Sequence, residues 1–121
     1  MFPLTVTIVD DDAGSRGATA SLVRSLGLPA TTFEDAGAFL ASAVSSTTAC
    51  LVTDIHMPGI GGLELLERFR ILRPDCPVIV VSGFLTPAVR EMAMARGAAA
   101  VFAKPLDDQF LACVETACGS A

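Results

Sequence analysis

Cys50-Leu51-Val52-Thr53-Asp54-Ile55-His56-Met57-Pro58-Gly59 is a short apolar run that ends on one carboxylate and then breaks at Pro58-Gly59. Four or five apolar residues bounded by a turn read as a strand, and a strand buried on both faces shows this lack of alternation. A helical pattern follows from Gly62 to Leu72. Asp54 is therefore expected at the carboxyl end of a parallel strand, where open α/β sheets place their ligand sites. An Asp that merely caps a turn would look the same in isolation, so the case rests on what converges with it.

Upstream, Leu4 to Val9 is rich in β-branched residues and runs straight into Asp10-Asp11-Asp12. A helix is expected from about Ala13 to Leu26, with Ala18, Leu22 and Leu26 on one face, Val23 beside them and Gly27 as its C′ residue. Leu28 to Phe33 reads as a less apolar edge strand, and Ala36 to about Val44 as a second helix with Phe39, Leu40 and Val44 inward. Ser45 to Thr48 reads as a polar loop. Downstream, the helix from Gly62 to Leu72 carries an i,i+4 pair, Glu64 and Arg68. Pro77 to Val81 is a strand that ends at Ser82-Gly83. Thr86-Pro87 is an N-cap and N1 pair opening a helix to Arg96, closed by Gly97. Ala99 to Ala103 is a fifth strand ending at Lys104-Pro105, and Leu106 to about Cys118 a last helix with Phe110, Leu111 and Val114 inward. Five alternations of strand and helix imply a parallel sheet with helices on both faces.

The polar residues segregate within that scheme. Asp10 and Asp11 end the first strand, Asp54 the third, Ser82 the fourth and Lys104 the fifth. With right-handed crossovers and a strand order of 2-1-3-4-5, the first and third strands flank the switch point and three carboxylates meet there. Three such groups repel, so one takes a proton or a cation sits among them. Oxygen ligands alone suit a hard cation, Mg²⁺ or Mn²⁺, better than zinc.

Composition narrows the classes. The 121 residues are one domain by size, and 52% hydrophobic residues suffice for a sizeable core. No apolar run reaches the roughly 18 residues that cross a bilayer. Met1-Phe2-Pro3-Leu4 lacks the charged start of a signal peptide. A net charge of −5 and a pI near 4.6 leave no electrostatic footprint for a phosphate backbone, which argues against direct nucleic-acid binding. Cys50, Cys76, Cys113 and Cys118 show no CxxC or zinc-like spacing and sit in apolar runs, as small core residues do. His56 is the only histidine, which excludes a multi-histidine metal site within one chain. A cytoplasmic, reducing compartment is the default expectation.

Val6-Thr7-Ile8-Val9-Asp10-Asp11-Asp12, Asp54-Ile55-His56-Met57-Pro58, Gly62-Leu63-Glu64-Leu65-Leu66, Ser82-Gly83, Gly97-Ala98 and Lys104-Pro105 occur in an order and spacing that resembles the receiver domain of bacterial two-component response regulators, most nearly the FixJ type. The resemblance covers the chain from Leu4 to the last helix. It implies a flavodoxin-like (βα)5 fold and a signalling switch rather than a conventional enzyme. Asp54 would accept a phosphoryl group from a histidine of a partner, a sensor histidine kinase or a phosphotransfer protein. Asp11 and Asp54 would bind Mg²⁺ directly, Asp10 largely through water, and the His56 backbone carbonyl would add a ligand. Lys104 would pair with Asp54 and then with a phosphoryl oxygen, and Ser82 would donate its hydroxyl to that group. The Lys104-Pro105 bond is commonly cis in the family. The readout surface would be the fourth helix, fifth strand and fifth helix, Thr86 to about Ala117, which also serves homodimers. A helix-turn-helix output domain usually follows, and residues 118–121 read as the start of a linker to one.

One departure concerns the switch. Many receivers carry Tyr or Phe three residues before the lysine, but Val101 stands there and Phe102 is one step on. One step along a strand reverses the face, so Phe102 is expected in the core and not as a substitute. The His56 side chain is expected at the mouth of the pocket. Phe84, two residues after Ser82, either shields the phosphoryl group or packs under its loop. Two rival classes remain. A phosphatase using an Asp nucleophile would want an acid where His56 stands. A phosphorylation-independent interaction module would carry a vestigial acidic pocket.

Overall fold

The computed structural model describes residues 4–119. Five strands alternate with five helices: β1 Thr5–Val9, α1 Ala13–Arg24, β2 Ala30–Phe33, α2 Ala36–Ala41, β3 Thr48–Asp54, α3 Gly62–Leu72, β4 Val78–Ser82, α4 Pro87–Ala95, β5 Ala100–Ala103 and α5 Asp108–Ala117. Every pairing is parallel and the order is β2-β1-β3-β4-β5, as the alternation of elements implied. Among the described residues no helix is long and apolar enough to cross a membrane. Ser120 and Ala121, within the stretch read as a linker, lie outside the described residues, as do Met1 to Pro3.

The uniformly apolar strands conceal a period of two, because successive side chains leave a strand on opposite faces. Val9, Leu51, Val78, Val80 and Val101 pack on one side with Ala36 and Phe39 of α2, Leu65, Leu66 and Phe69 of α3 and Ala93 of α4. Val6, Ile8, Cys50, Val52, Ile79 and Val81 pack on the other with Ala20 and Val23 of α1 and Phe110 and Val114 of α5. Helices thus cover both faces. Phe102 falls on the second side and meets the Phe110 ring edge-on at 5.8 Å, opposite to its neighbour Val101.

Local chemistry sets the helix ends. Asp12, Asp35, Thr86 and Asp107 each accept backbone N–H bonds at the start of α1, α2, α4 and α5. Gly27 and Gly97 take positive φ, +81° and +102°, after α1 and α4. Each edge strand is also met by a guanidinium: Arg24 of α1 donates to the Ala30 carbonyl of β2, and Arg90 of α4 to the Val101 carbonyl of β5, both at 2.9 Å.

Three local expectations need correction. α1 ends at Arg24, and it buries Thr19, Ala20 and Val23; Ala18 is exposed and Leu22 only half-buried. α2 ends at Ala41 rather than Val44, because Ser42 turns extended and its hydroxyl accepts the Val44 N–H at 3.2 Å. Serine competes with helix in this way. A 3-10 turn over Ala43–Ser46 follows, and Thr48 belongs to β3, where its hydroxyl meets that of Thr7 at 2.8 Å. All four cysteines are free, and burial raises each thiol's pKa, which suits core residues and not nucleophiles.

Candidate functional site

Strand register brings the site together. Val9 lies level with Thr53 across β1 and β3, so the next residues, Asp10 and Asp54, leave their strands side by side. Asp54 is level with Val81, and Ser82 with Ala103, so Lys104 follows one step beyond. Backbone bonds extend the ladder past the strands: Ile55 N–H to the Val81 carbonyl at 3.2 Å and Lys104 N–H to the Ser82 carbonyl at 2.9 Å. The Lys104-Pro105 bond is cis.

Lys104, the only lysine in the chain, crosses this edge. Its ammonium donates to Asp54 Oδ2 at 2.5 Å, Ser15 Oγ at 2.6 Å and Asp10 Oδ2 at 3.0 Å. Asp10 is 2% exposed and Asp54 8%, so the pairing balances two carboxylates that water barely reaches. Burial by itself lowers the Lys104 pKa, but hydrogen bonding and attraction to Asp54 and then Asp10 outweigh it and hold it above the ordinary lysine value. The other oxygen of Asp54, Oδ1, accepts the His56 backbone N–H at 3.0 Å, and Asp10 Oδ1 accepts that of Asp12 at 2.9 Å. Both carboxylates are therefore fixed in orientation.

The remaining sequence candidates divide. Ser82 is fully buried at the end of β4, and its hydroxyl accepts the Phe84 N–H at 3.1 Å. His56 is exposed. Phe84 is 83% exposed, so it does not pack under its loop. Asp12 caps α1 through the Ser15 N–H at 2.7 Å. Asp11 is exposed, and among the described residues no three His, Cys, Asp or Glu side chains draw close enough to hold a metal ion. The expected meeting of three carboxylates is thus a meeting of two, with the Lys104 ammonium between them. The donors around it (two carboxylates from adjacent strands) are oxygen only, which fits a hard divalent cation if Asp11 turns inward.

Two participants were not read from the sequence. Ser15, third residue of α1, supplies the neutral acceptor for Lys104, and the Arg16 guanidinium donates to the Asp10 carbonyl at 2.9 Å. Their only sequence signal is position, one turn after the cap that follows the first strand. Ser15, Ala18 and Leu22 also line a groove of about 530 Å³ with Lys104, Pro105 and Leu106. Gly62 supports the site from below: its N–H donates to the Ile55 carbonyl at 2.9 Å, and a Cβ there would collide with the Asp54 carbonyl oxygen and the Ile55 Cα.

An open parallel sheet with paired acids and a lysine at its carboxyl edge defines a class, and residues 6–114 match the family described as the response regulator receiver domain. The chain belongs to that family of two-component signalling proteins. It is similar to the transcriptional regulatory proteins FixJ of Bradyrhizobium diazoefficiens, 34% identical over 93% of this chain and 55% of the relative, and of Azorhizobium caulinodans, 41% identical over 87% and 50%. The chain thus spans about half the length of these curated relatives. Among solved structures, FixJ-N superposes with a TM-score of 0.84 at 32% identity, covering 100% of this chain and 98% of that one. A CheY-like receiver domain protein from Methanospirillum hungatei gives a TM-score of 0.87 at 26% identity, covering 98% and 95%.

Proposed function

We propose that residues 1–121 act as one receiver unit in which Asp54 takes a phosphoryl group from a histidine of a partner kinase. The observation that carries this reading is the sole lysine drawn onto a nearly buried Asp54, whose two oxygens are separately oriented by Lys104 and by the His56 N–H. An Asp54 oxygen forms a bond to phosphorus as the P–N bond of the donor breaks, and the leaving imidazole takes up a proton. Phosphoryl transfer is chiefly alignment and charge neutralisation. Lys104 passes from the carboxylate to a phosphoryl oxygen, and the Ser82 hydroxyl turns from its own loop to donate to that group. Mg²⁺ or Mn²⁺, held by Asp10, Asp11, Asp54 and the His56 backbone carbonyl, would supply further positive charge at the phosphoryl oxygens. The domain promotes its own phosphorylation and dephosphorylation and is not otherwise an enzyme.

The output follows through α4, β5 and α5, by homodimerisation or by contact with an output domain that regulates transcription, in the cytoplasm. The names of the FixJ relatives support the transcriptional part. The half-exposed Met92 and Met94 of α4 are adaptable side chains suited to a contact that is remodelled. The decisive experiment is mass spectrometry after incubation with acetyl phosphate and Mg²⁺, followed by sizing. The wild-type chain gains one phosphoryl group and Asp54→Asn gains none. An unlabelled wild type would favour the interaction-module reading, and stoichiometric labelling of Asp54→Asn elsewhere would refute the site.

A further inference from the structure

An ammonium has three N–H bonds, and each of those on Lys104 has an acceptor within 3.0 Å. Two acceptors are the carboxylates of the sheet edge. The third, Ser15 Oγ at 2.6 Å, is neutral and comes from α1 instead of from a strand. Its placement is fixed on both sides: the Ser15 N–H is held by the Asp12 cap at 2.7 Å, and the Ser15 carbonyl accepts the Thr19 hydroxyl at 2.9 Å. A serine has one short rotor, so little further ordering is needed to present the oxygen. The lysine is the flexible partner, and its four-carbon stem loses far more freedom when held.

We infer that Ser15 is a positioning residue for phosphoryl transfer, holding the Lys104 ammonium at the site while the charge on Asp54 moves outward. The inference rests on Asp54 being the phosphoacceptor. Before transfer, Lys104 faces a carboxylate at Asp54 Oδ2. Once an Asp54 oxygen bonds to phosphorus, the negative charge lies on the phosphoryl oxygens and the ammonium must follow it. Asp10, 3.0 Å away, competes for the same cation throughout. A neutral acceptor keeps one N–H in place whichever anion the other two face. It also adds no negative charge to a pocket that must receive a phosphoryl dianion, which a third carboxylate would do. Ser15 thereby acts through Lys104 and touches no reacting atom.

Because the chain holds one lysine, ¹⁵N-lysine labelling gives a single side-chain ammonium signal in NMR, and its exchange with water reports how firmly Lys104 is held. In the unphosphorylated wild type that signal is expected to persist in the cold at mildly acidic pH. Ser15→Ala should broaden it through faster exchange and slow acetyl phosphate labelling of Asp54 about fivefold, the factor one ordinary hydrogen bond supplies. Ser15→Thr should restore both. Thermal stability should fall only slightly in Ser15→Ala, because the cap uses the backbone N–H and alanine's helix preference offsets part of the lost hydrogen bond. Wild-type exchange in Ser15→Ala would overturn the inference, and so would loosened exchange with an unchanged labelling rate. A wild-type chain that fails to label would count against Asp54 as acceptor instead, while the ammonium signal, read before any donor is added, would still decide whether Ser15 holds Lys104.

Discussion

Replacing Lys104 by Met keeps an unbranched, largely apolar stem and removes the ammonium. Asp10 Oδ2 and Asp54 Oδ2 both touch that nitrogen, at 3.0 and 2.5 Å, so they lie within about 5.5 Å of each other. Two unit charges about 5 Å apart at an effective dielectric near 20 repel by ~3 kcal/mol. Breaking a fully buried pair on one side costs roughly 3–5 kcal/mol. The Lys104 side chain is 21% exposed, which admits some screening, so a loss of about 2–3 kcal/mol is expected. Urea unfolding followed by circular dichroism measures it, since the chain has neither Trp nor Tyr for fluorescence. The pH dependence has a fixed sign. Lys104 has a raised pKa in the folded state, so its contribution is complete below the unfolded lysine value, about 10.4, and is lost only as pH rises through the folded one. The gap between wild type and variant should therefore stay constant from neutrality to about pH 9 and close in stronger alkali. Asp54→Asn closes a double-mutant cycle. It removes an attraction in the wild type and a repulsion in Lys104→Met, giving a coupling of about 2–3 kcal/mol. A coupling below about 0.5 kcal/mol would refute the account of the site as a charge-balanced triad.

Gly62→Ala should cost at least about 2 kcal/mol and lower the labelling of Asp54, because the new methyl meets backbone of Asp54 and Ile55 that cannot step aside. Wild-type values in both urea unfolding and mass spectrometry would contradict that. Ser82→Ala should still label at Asp54 but change its self-association less on sizing. Moving an equilibrium from 1:99 to 99:1 takes roughly 5.5 kcal/mol, and one charge-assisted hydrogen bond contributes about 1.5–3. A full wild-type response without the Ser82 hydroxyl would show that Lys104 and loop movement suffice.

What was legible in the sequence followed from strands. Asp10, Asp54, Ser82 and Lys104 each close a run of β-branched or apolar residues, and a parallel sheet puts all such closures on one edge. The Val101–Phe102 reversal was readable for the same reason, since the pleat fixes which way each side chain leaves. Positions two residues beyond a strand escape this rule. Asp11 belongs to the turn into α1, and turn geometry, not sheet register, decides where it points. The inward face of α1 was misread because Ala18 is apolar but small enough to be exposed at little cost, while Thr19 is buried with its hydroxyl satisfied by the Ser15 carbonyl. α2 stopped early for a reason that hydrophobic period does not register, the side chain of Ser42. Ser15 could not be singled out, since a serine after a helix cap is commonplace and its partner lies 89 residues away.

That every lysine or arginine but one is arginine bears on bench handling. Acylating dyes, amine-coupled sensor surfaces and lysine cross-linkers find one side-chain target here, and it is the group wedged between Asp10 and Asp54. Attachment by such reagents disables the pocket unless it is confined to the chain's α-amino group. Read the other way, the acylation rate of this solitary side-chain amine, told apart from the α-amino group by peptide mapping, gauges whether the pocket is sealed or open, with no isotope and no engineered tag.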